Sequence, residues 1–395
     1  ESEIMYFIIV IIELLGFILT ASCGKITTET RVEAHGYPVE SHNVQTTDGY
    51  ILQMFRIPHS RNTQNITNNK RPIAFLLHGI LSSSDGWVIS DSNDSLAFVL
   101  SNAGYDVWLG NCRGNTYSRK HVSYKPYFQR FWNFEWHHMG VYDLPAMIDY
   151  ALYVTGEQTL HVLAHSQGTT ALLVMLSMVP AYNAKIKTAQ LLAPVAYMTH
   201  IRTPFAKIIA PFLGRPNALV EVFGSAEFMP DSFVNRLLGA QACKDSSPVQ
   251  AVCSNSLFLI CGFNSTLLPE IMRTHPAGTS VNQFMHFLQE KRSGEFRQFD
   301  YGMIRNKFKY KQLSPPRYQL SRIGAPLYLY YSDNDWLASV EDVERLVEKL
   351  PNVRLAYRHP DKKWNHLDFL WSIGVTEKLY KHVIENMGSQ NKSSY

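Results

Sequence analysis

One stretch decides the fold, and it reads Leu160-His161-Val162-Leu163-Ala164-His165-Ser166-Gln167-Gly168-Thr169-Thr170-Ala171. Its first half is a run of apolar and β-prone residues, and a second apolar run, 171–179, follows and stops at Pro180. This pattern is typical of a strand that turns sharply into a helix with a serine at the apex. Such a turn exposes the hydroxyl of Ser166 and directs the amino end of the helix towards it. The stretch therefore predicts Ser166 as a nucleophile.

The turn departs from the usual motif at one position. Strand and helix nearly touch there, so the residues two before and two after the serine must be small. Here they are Ala164 and Gly168, which makes the motif A-x-S-x-G. The alternative interpretation is an ordinary strand-to-helix connection with Ser166 as the helix N-cap. His161 and His165 precede the serine on its strand and are predicted to serve packing.

The composition describes a globular protein with a large core. The chain has 395 residues, of which 46% are hydrophobic and 18% are charged. These values indicate one large domain, or one domain that carries an insertion. The formal net charge of +4 is spread along the chain without a run of five basic residues, which argues against nucleic-acid binding.

The amino-terminal residues differ from the rest. Residues 6–19 are nearly all apolar, and small residues follow at 20–24. A stretch of 14 residues suits the hydrophobic region of a signal peptide. It is shorter than the roughly 20 residues that span a bilayer. We predict a cleaved signal peptide at 1–23 and no stable transmembrane anchor, with an uncleaved anchor as the alternative.

The cysteines and the glycosylation sequons fit a protein of the secretory route. Cys243 and Cys253 bracket a polar, proline-containing loop, which suits a short disulfide in an oxidising compartment. The chain has no C-x-x-C pair, so we expect neither a zinc site nor a redox cluster. Four asparagines begin N-x-S/T sequons and are candidates for glycosylation: Asn65, Asn93, Asn264 and Asn391.

Strands and helices alternate along most of the chain. Residues 41–57 form two alternating segments around Asp48-Gly49, which is the strongest short signal for a hairpin. Apolar runs typical of strands then follow, with helical segments between them, at 72–77, 104–110, 160–165, 189–193, 326–331 and 353–357, and those at 72–77 and 104–110 are typical of buried strands. This alternation predicts an α/β fold whose central sheet is mostly parallel.

The alternation is interrupted between about 197 and 320. That segment contains short amphipathic helical stretches, many aromatics and prolines, and the cysteine pair. An interruption of this length is typical of a largely helical cap inserted over the carboxyl edge of the strands, where ligands bind. The apolar pieces 208–213 and 284–288 are candidates for a pocket lining, with cap core as the alternative for each.

Ser166 needs a base and an acid, and the chain offers two candidates for each. On this architecture the partners follow in the order serine, acid, histidine, in loops at the carboxyl ends of strands. Asp333 and Asp335 both follow the next-to-last strand, and Asp335 is favoured because it lies deeper in the turn. His359 and His366 follow the last strand. His366 is favoured because a helix begins there and can hold the imidazole over the sheet.

A tetrahedral intermediate needs backbone N–H donors around its negative oxygen. Gln167 follows the serine at the amino end of the helix and is the first candidate. The second donor is expected from the loop after the first buried strand, which reads His78-Gly79-Ile80, and Ile80 is its candidate. The alternative for His78-Gly79 is a plain turn.

These motifs resemble the acid lipase family, which contains gastric and lysosomal acid lipases and many insect digestive lipases. The resemblance covers roughly residues 30–385. It rests on Thr47-Asp48-Gly49-Tyr50-Ile51-Leu52, His78-Gly79-Ile80-Leu81, Gly104-Tyr105-Asp106-Val107-Trp108-Leu109-Gly110-Asn111, Arg113-Gly114-Asn115-Thr116, Tyr142-Asp143-Leu144-Pro145-Ala146, His165-Ser166-Gln167-Gly168-Thr169-Thr170, Pro276-Ala277-Gly278-Thr279-Ser280 and Asn365-His366-Leu367-Asp368-Phe369.

The resemblance implies an α/β-hydrolase fold and a neutral-lipid esterase. Within it, Ser166 is the nucleophile, Asp335 the acid and His366 the base, and the oxyanion donors fall on Ile80 and Gln167. It also implies a cap with a mobile lid within about 228–258 and a Cys243–Cys253 disulfide. Ala164 stands where the family has glycine, and we expect its extra methyl group to be accommodated.

The predicted organisation has five parts. They are a signal peptide (1–23), a first part of the hydrolase core (24–196), a cap and lid insertion (197–320), a second part of the core (321–388) and a polar tail (389–395). The predicted function is a secreted or lysosomal lipase that cleaves triacylglycerols or sterol esters, with no cofactor, no metal and no obligate protein partner. The alternatives are a carboxylesterase on shorter esters and a non-catalytic lipid-binding protein.

Overall fold

The computed structural model of the chain describes residues 26–61, 70–203, 227–228 and 267–388. The predicted signal peptide, the polar tail and nearly all of the predicted lid lie outside the described residues. So do Cys243 and Cys253, and three of the four sequon asparagines, which are Asn65, Asn264 and Asn391.

The secondary structure alternates along the described chain. The strands are β1 (Glu40–Gln45), β2 (Tyr50–Ile57), β3 (Ile73–Leu77), β4 (Asp106–Gly110), β5 (Lys120–His121), β6 (Leu160–His165), β7 (Ile186–Leu192), β8 (Glu227–Phe228), β9 (Thr279–Ser280), β10 (Leu327–Tyr331) and β11 (Val353–Arg358). The helices are α1 (Thr28–Ala34), α2 (Leu96–Asn102), α3 (Trp136–His138), α4 (Leu144–Thr155), α5 (Gln167–Met178), α6 (Leu268–Met272), α7 (Val281–Ser293), α8 (Met303–Tyr310), α9 (Val340–Lys349), α10 (Asp368–Trp371) and α11 (Lys381–Gly388).

One sheet organises these elements, in the strand order β1-β2-β4-β3-β6-β7-β10-β11, with β5 paired to β2. The neighbours from β4 to β11 are all parallel. The strands β1 and β2 form the hairpin predicted around Asp48-Gly49 and join the sheet antiparallel. The prediction of a mostly parallel α/β sheet is therefore confirmed.

The central strands are buried on both faces. Every residue of β3, β4 and β6 is buried, as the continuous apolar runs predict for strands covered by helices on each side. Because these strands are parallel, the loops that follow β3, β6, β10 and β11 emerge at one edge of the sheet. The loops that carry the predicted site residues are among them.

One helix begins later than predicted. The sequence predicts a helix over 141–154, whereas a π-helical turn, Met139–Asp143, precedes α4. Pro145 has no N–H to donate to the carbonyl of residue 141, so a regular α-helix cannot run through this point. The turn also brings Gly140 against α5, where an added Cβ would lie 2.6 Å from Val174 Cγ1.

The described part of the segment between β7 and β10 carries a two-stranded ribbon and three α-helices. The strands β8 and β9 pair antiparallel, and α6, α7 and α8 accompany them. A small apolar cluster joins Phe228, Val281, Met285, Leu288 and Phe299. None of the helices among the described residues is long and apolar enough to cross a membrane.

Candidate active site

Ser166 lies at a strained turn between β6 and α5. Its backbone torsions are φ 52° and ψ −123°, a positive φ that residues with a side chain rarely adopt. Such a conformation costs about 1–3 kcal/mol and persists only where the surroundings impose it. Here the Ser166 N–H donates to the Leu192 carbonyl over 3.1 Å, and the Thr169 N–H and hydroxyl both donate to the Ser166 carbonyl. The fold therefore holds the serine at the apex.

The turn is tight because its small residues touch backbone. A Cβ added to Gly168 would lie 2.6 Å from the Leu77 carbonyl oxygen, so α5 runs directly against the end of β3. Ala164 is fully buried within the sheet, in register with Leu77 on one side and Leu191 on the other. The methyl group of Ala164 is therefore accommodated inside the strand, whereas Gly168 stands where no methyl group fits.

Ser166, His366 and Asp335 form a hydrogen-bonded chain. His366 Nε2 lies 2.8 Å from Ser166 Oγ, and His366 Nδ1 lies 2.8 Å from Asp335 Oδ2. The other carboxylate oxygen of Asp335 accepts from the backbone N–H groups of Leu337 and Ala338 at 2.8 Å each. With Asp335 accepting, His366 carries its proton on Nδ1, and Nε2 is free to accept the Ser166 proton.

The burial of the three residues favours this arrangement. Asp335 is fully buried, and 2% of His366 and 5% of Ser166 are exposed. In such surroundings a charge-assisted hydrogen bond is not weakened by competing water. The arrangement can therefore activate the serine hydroxyl.

The competing candidates lie elsewhere. Asp333 forms ion pairs with Arg358 and Lys362 at the surface, at 2.5 Å each. His359 stacks on Trp364 with 3.9 Å between ring centroids. Asp333 and His359 are therefore held in other contacts, and the hydrogen bonds that reach Ser166 come from His366 and, through it, from Asp335.

The loop after β3 runs beside the serine. A Cβ added to Gly79 would lie 3.0 Å from Ser166 Cβ, so the loop passes directly beside the serine. Ile80 is the next residue of this loop. His78 braces this loop: its Nδ1 donates to the Gly79 carbonyl over 2.7 Å. Its Nε2 accepts from the Cys112 N–H and the Asn115 amide at 3.1 Å each. Burial lowers the pKa of His78 to about 4, which keeps the ring neutral near pH 7.

Gln167 begins α5, so its N–H belongs to the amino end of that helix. Its side chain is buried and donates through Nε2 to Gln283 Oε1 on α7. The segment between β7 and β10 thus reaches the residue that follows the serine. Sequence reasoning missed Gln283, because nothing local marks a contact between residues 116 positions apart. The roles of Ile80 and Gln167 as oxyanion donors stay predictions.

His165 is a second residue whose place the sequence did not reveal. Its pattern predicts packing, but Nε2 lies 2.9 Å from the backbone carbonyl of His366, and the two rings are 4.8 Å apart. Burial keeps the pKa of His165 well below its usual value, so the ring is neutral and its Nε2–H donates to that carbonyl. His165 therefore holds His366 from the strand side. His161, by contrast, bonds Thr188 Oγ1 at 2.7 Å and serves the packing that its position predicts.

Among the described residues, no three His, Cys, Asp or Glu side chains stand close enough together to hold a metal ion. Asn93, the one sequon asparagine within the described ranges, is exposed just before α2. Its glycosylation stays a prediction.

Comparison with known proteins identifies the family of the chain. A family model described as a partial alpha/beta-hydrolase lipase region matches residues 28–91, and one described as the alpha/beta hydrolase fold matches 73–247. The chain is 48% identical to Lipase 3 of Drosophila melanogaster over 95% of its own length and 96% of that protein. It is 40% identical to gastric triacylglycerol lipase of Mus musculus, over 89% of each chain. The chain belongs to the acid lipase family of the α/β-hydrolase fold.

This membership confirms the family, the fold class and the enzyme class predicted from the sequence: the chain is a carboxylic ester hydrolase. Among solved structures, a soluble variant of monoglyceride lipase from Saccharomyces cerevisiae matches with a TM-score of 0.51 and 15% identity. That match covers 93% of this chain and 98% of the other, and it bears on the fold alone.

Proposed function

We propose that this acid lipase family member hydrolyses acyl esters of neutral lipids, triacylglycerols above all, through a covalent acyl-enzyme. The observation that carries the proposal is the hydrogen-bonded chain from Ser166 through His366 to Asp335, with both links at 2.8 Å. The substrate class is supported by the relatives that carry the name triacylglycerol lipase. Sterol esters remain within the same proposal, because the same chemistry cleaves any carboxylic ester.

The reaction proceeds in two halves. Ser166 Oγ attacks the ester carbonyl carbon while His366 Nε2 takes the hydroxyl proton, and Asp335 stabilises the imidazolium that forms. The tetrahedral intermediate then collapses, and His366 gives its proton to the leaving glyceride oxygen, so that an acylglycerol departs. A water molecule attacks the acyl-enzyme with His366 again as base, which releases the fatty acid and restores the Ser166 hydroxyl.

The backbone N–H groups of Ile80 and Gln167 are proposed to bind the negative oxygen of each intermediate. The bracing of the loop by His78 and the position of Gln167 at the start of α5 support this role. Losing one such donor costs about 10²–10³ in kcat in enzymes where it has been removed.

The cellular setting is part of the same proposal. We propose that residues 1–23 direct the chain into the secretory pathway, towards a digestive lumen or a lysosome. Residues 197–320 are proposed to form the cap and lid, and the sequons and a Cys243–Cys253 disulfide belong to this setting.

Replacing the nucleophile and the acid tests the mechanism. We expect Ser166→Ala to abolish hydrolysis of an emulsified long-chain triacylglycerol, and Asp335→Asn to lower kcat by about 10⁴ because the amide disturbs the tautomer of His366. The matched control is Asp333→Asn, which removes a carboxylate two residues away that pairs with surface cations. Its kcat should stay within about twofold of wild type, since surface ion pairs contribute little.

The outcome that contradicts the proposal is ester hydrolysis by a folded Ser166→Ala protein, checked by circular dichroism. An equal loss in Asp333→Asn and Asp335→Asn would remove the assignment of the acid. Rates above and below the solubility limit of a short ester then distinguish a lipase from a carboxylesterase.

A further inference from the structure

The helix α8 exposes large apolar side chains to solvent. Met303, Ile304 and Phe308 are 70%, 75% and 76% exposed, and Leu313, just beyond the helix, is 60% exposed. Single exposed apolar residues are ordinary, but several of them on one short helix mark a surface that meets something apolar.

The exposure does not come from a loosely attached helix. Asn306 is buried, and its amide donates to Asp300 Oδ1 at 2.7 Å and to the Leu313 carbonyl at 3.0 Å. One turn later, the Tyr310 hydroxyl donates to the Phe299 carbonyl over 2.8 Å. Residues four apart share a helix face, so Asn306 and Tyr310 hold one face while Ile304 and Phe308 project from another.

The same helix is strongly basic. Arg305, Lys307 and Lys309 on the helix and Lys311 directly after it are all exposed, and Asp300 is the only acidic residue between 300 and 313. Lys309 Nζ lies 2.7 Å from the Tyr301 hydroxyl. Across the described ranges, no acidic side chain pairs with Arg305, Lys307 or Lys311. These three cations are therefore available to an anionic partner.

The position of α8 links it to the candidate active site. Tyr301, just before the helix, packs against the apolar cluster of Phe228, Val281, Met285, Leu288 and Phe299. Leu81 packs against the same cluster and directly follows Ile80, the proposed oxyanion donor. The same apolar cluster therefore contacts both the segment that leads into α8 and the loop that follows β3.

We propose that α8 docks the enzyme on a lipid surface that carries anionic phospholipid headgroups. This inference rests on the proposed function and identifies the kind of interface from which the site takes its substrate. Ile304, Phe308 and Met303 enter the boundary between headgroups and acyl chains, and the flanking cations bind phosphates. Apolar side chains interleaved with unpaired cations fit such a surface better than a second copy of the chain, whose α8 is equally positive and repels it.

Flotation with phospholipid vesicles tests the proposal with the full-length enzyme. We expect wild type to float more with vesicles of phosphatidylcholine and phosphatidylglycerol than with phosphatidylcholine alone, and added salt to abolish the difference. The double variant Lys307→Glu/Lys311→Glu should lower the anionic partition coefficient about twentyfold or more, since each cation near such a surface contributes about fivefold. Ile304→Ser/Phe308→Ser should lower it about tenfold or more on both kinds of vesicle.

The matched control is Tyr153→Ser on α4, a helix without Lys or Arg whose Tyr153 is 85% exposed. It should float like wild type. Equal flotation of wild type and all variants overturns the proposal. A loss of flotation in Tyr153→Ser as large as that in the α8 variants overturns it as well. A wild-type dimer that only Ile304→Ser/Phe308→Ser dissociates, measured by sedimentation, overturns it in favour of a contact between copies.

Hydrolysis of a water-soluble short ester separates this inference from the proposed function. The α8 variants should keep wild-type rates on that substrate, because none of the changed residues belongs to the triad. If wild type cleaves no ester at all, the proposed function fails while flotation still reports on α8. If the soluble ester is cleaved and flotation is unchanged in the variants, only the inference about α8 fails.

Discussion

His165 shows how one side chain can set the position of another. Its Nε2–H donates to the backbone carbonyl of His366, at the point where the chain turns to present the imidazole to Ser166. Both residues are buried, so water cannot replace this donor if it is removed. The pattern around the serine predicted its strand and its turn, but not this bond, which joins residues 201 positions apart.

Removing the donor of His165 should lower turnover without removing any reacting group. We expect His165→Leu to lower kcat about tenfold, because the unpaired carbonyl costs about 1–3 kcal/mol and His366 loses one fixed position. His165→Gln keeps an N–H at a similar reach and should recover most of kcat. Steady-state kinetics on a soluble ester check this, with KM nearly unchanged in both variants. Equal loss in the two variants would mean that the ring only fills space.

At the scale of elements, the approach of α5 to β3 explains the motif around the serine. Gly168 faces the carbonyl oxygens of Leu77 and His78, at 2.6 and 2.8 Å from an added Cβ. Ala164 lies fully buried within the sheet, in register with Leu77 and Leu191. The strand therefore holds an alanine before the serine, whereas the close approach of α5 to β3 requires glycine after it.

Gly168→Ala should separate these two elements. We expect it to lower the free energy of unfolding by about 1–3 kcal/mol, since backbone must move to admit the methyl group. It should also lower kcat, because His78 belongs to the loop beside Ser166. Gly324→Ala is the matched control, as an added Cβ there meets nothing within 4 Å. Urea unfolding and kinetics measure both effects, and a Gly168 variant that behaves like the control contradicts this account.

At the scale of elements, the sequence predicted the positions of the strands well and the contacts between elements less well. The strands and the hairpin at Asp48-Gly49 lie where their patterns predict. The start of α4 was wrong by three residues, because Pro145 and the packing of Gly140 on α5 override the periodicity. Local pattern determines element type, while packing between distant segments determines where an element begins.

At the scale of the whole molecule, buried neutral histidines limit stability in acid. Burial lowers the pKa of His161 to about 3, against 6.5 for the free side chain. Between these values the unfolded chain binds a proton at this residue and the folded chain does not. The folded state therefore loses stability as pH falls through this range, and it is unaffected above about pH 7.

A comparison at two pH values isolates this contribution. We expect the free energy of unfolding to fall by about 2–3 kcal/mol more in wild type than in His161→Asn when the pH falls from about 6.5 to 4.5. The expected slope is about 1.4 kcal/mol per unit of pH. Thr188→Val removes the hydrogen-bond partner of His161 without removing the titrating group. It should show the same pH dependence as wild type. Urea unfolding at both pH values checks this, and parallel curves for wild type and His161→Asn contradict it.

The sequence by itself determined the order of the strands along the chain, the turn at Ser166 and the loops that hold the candidate acid and base. These features depend on residues within a few positions of one another, so hydrophobic periodicity and turn residues suffice to predict them. Only the tertiary structure showed that His366 and Asp335, which the sequence already favours over His359 and Asp333, form one hydrogen-bonded chain with Ser166. It also placed His165 behind His366 and exposed one face of α8. Those outcomes depend on which distant segments the sheet brings together and on what each contact shields from water.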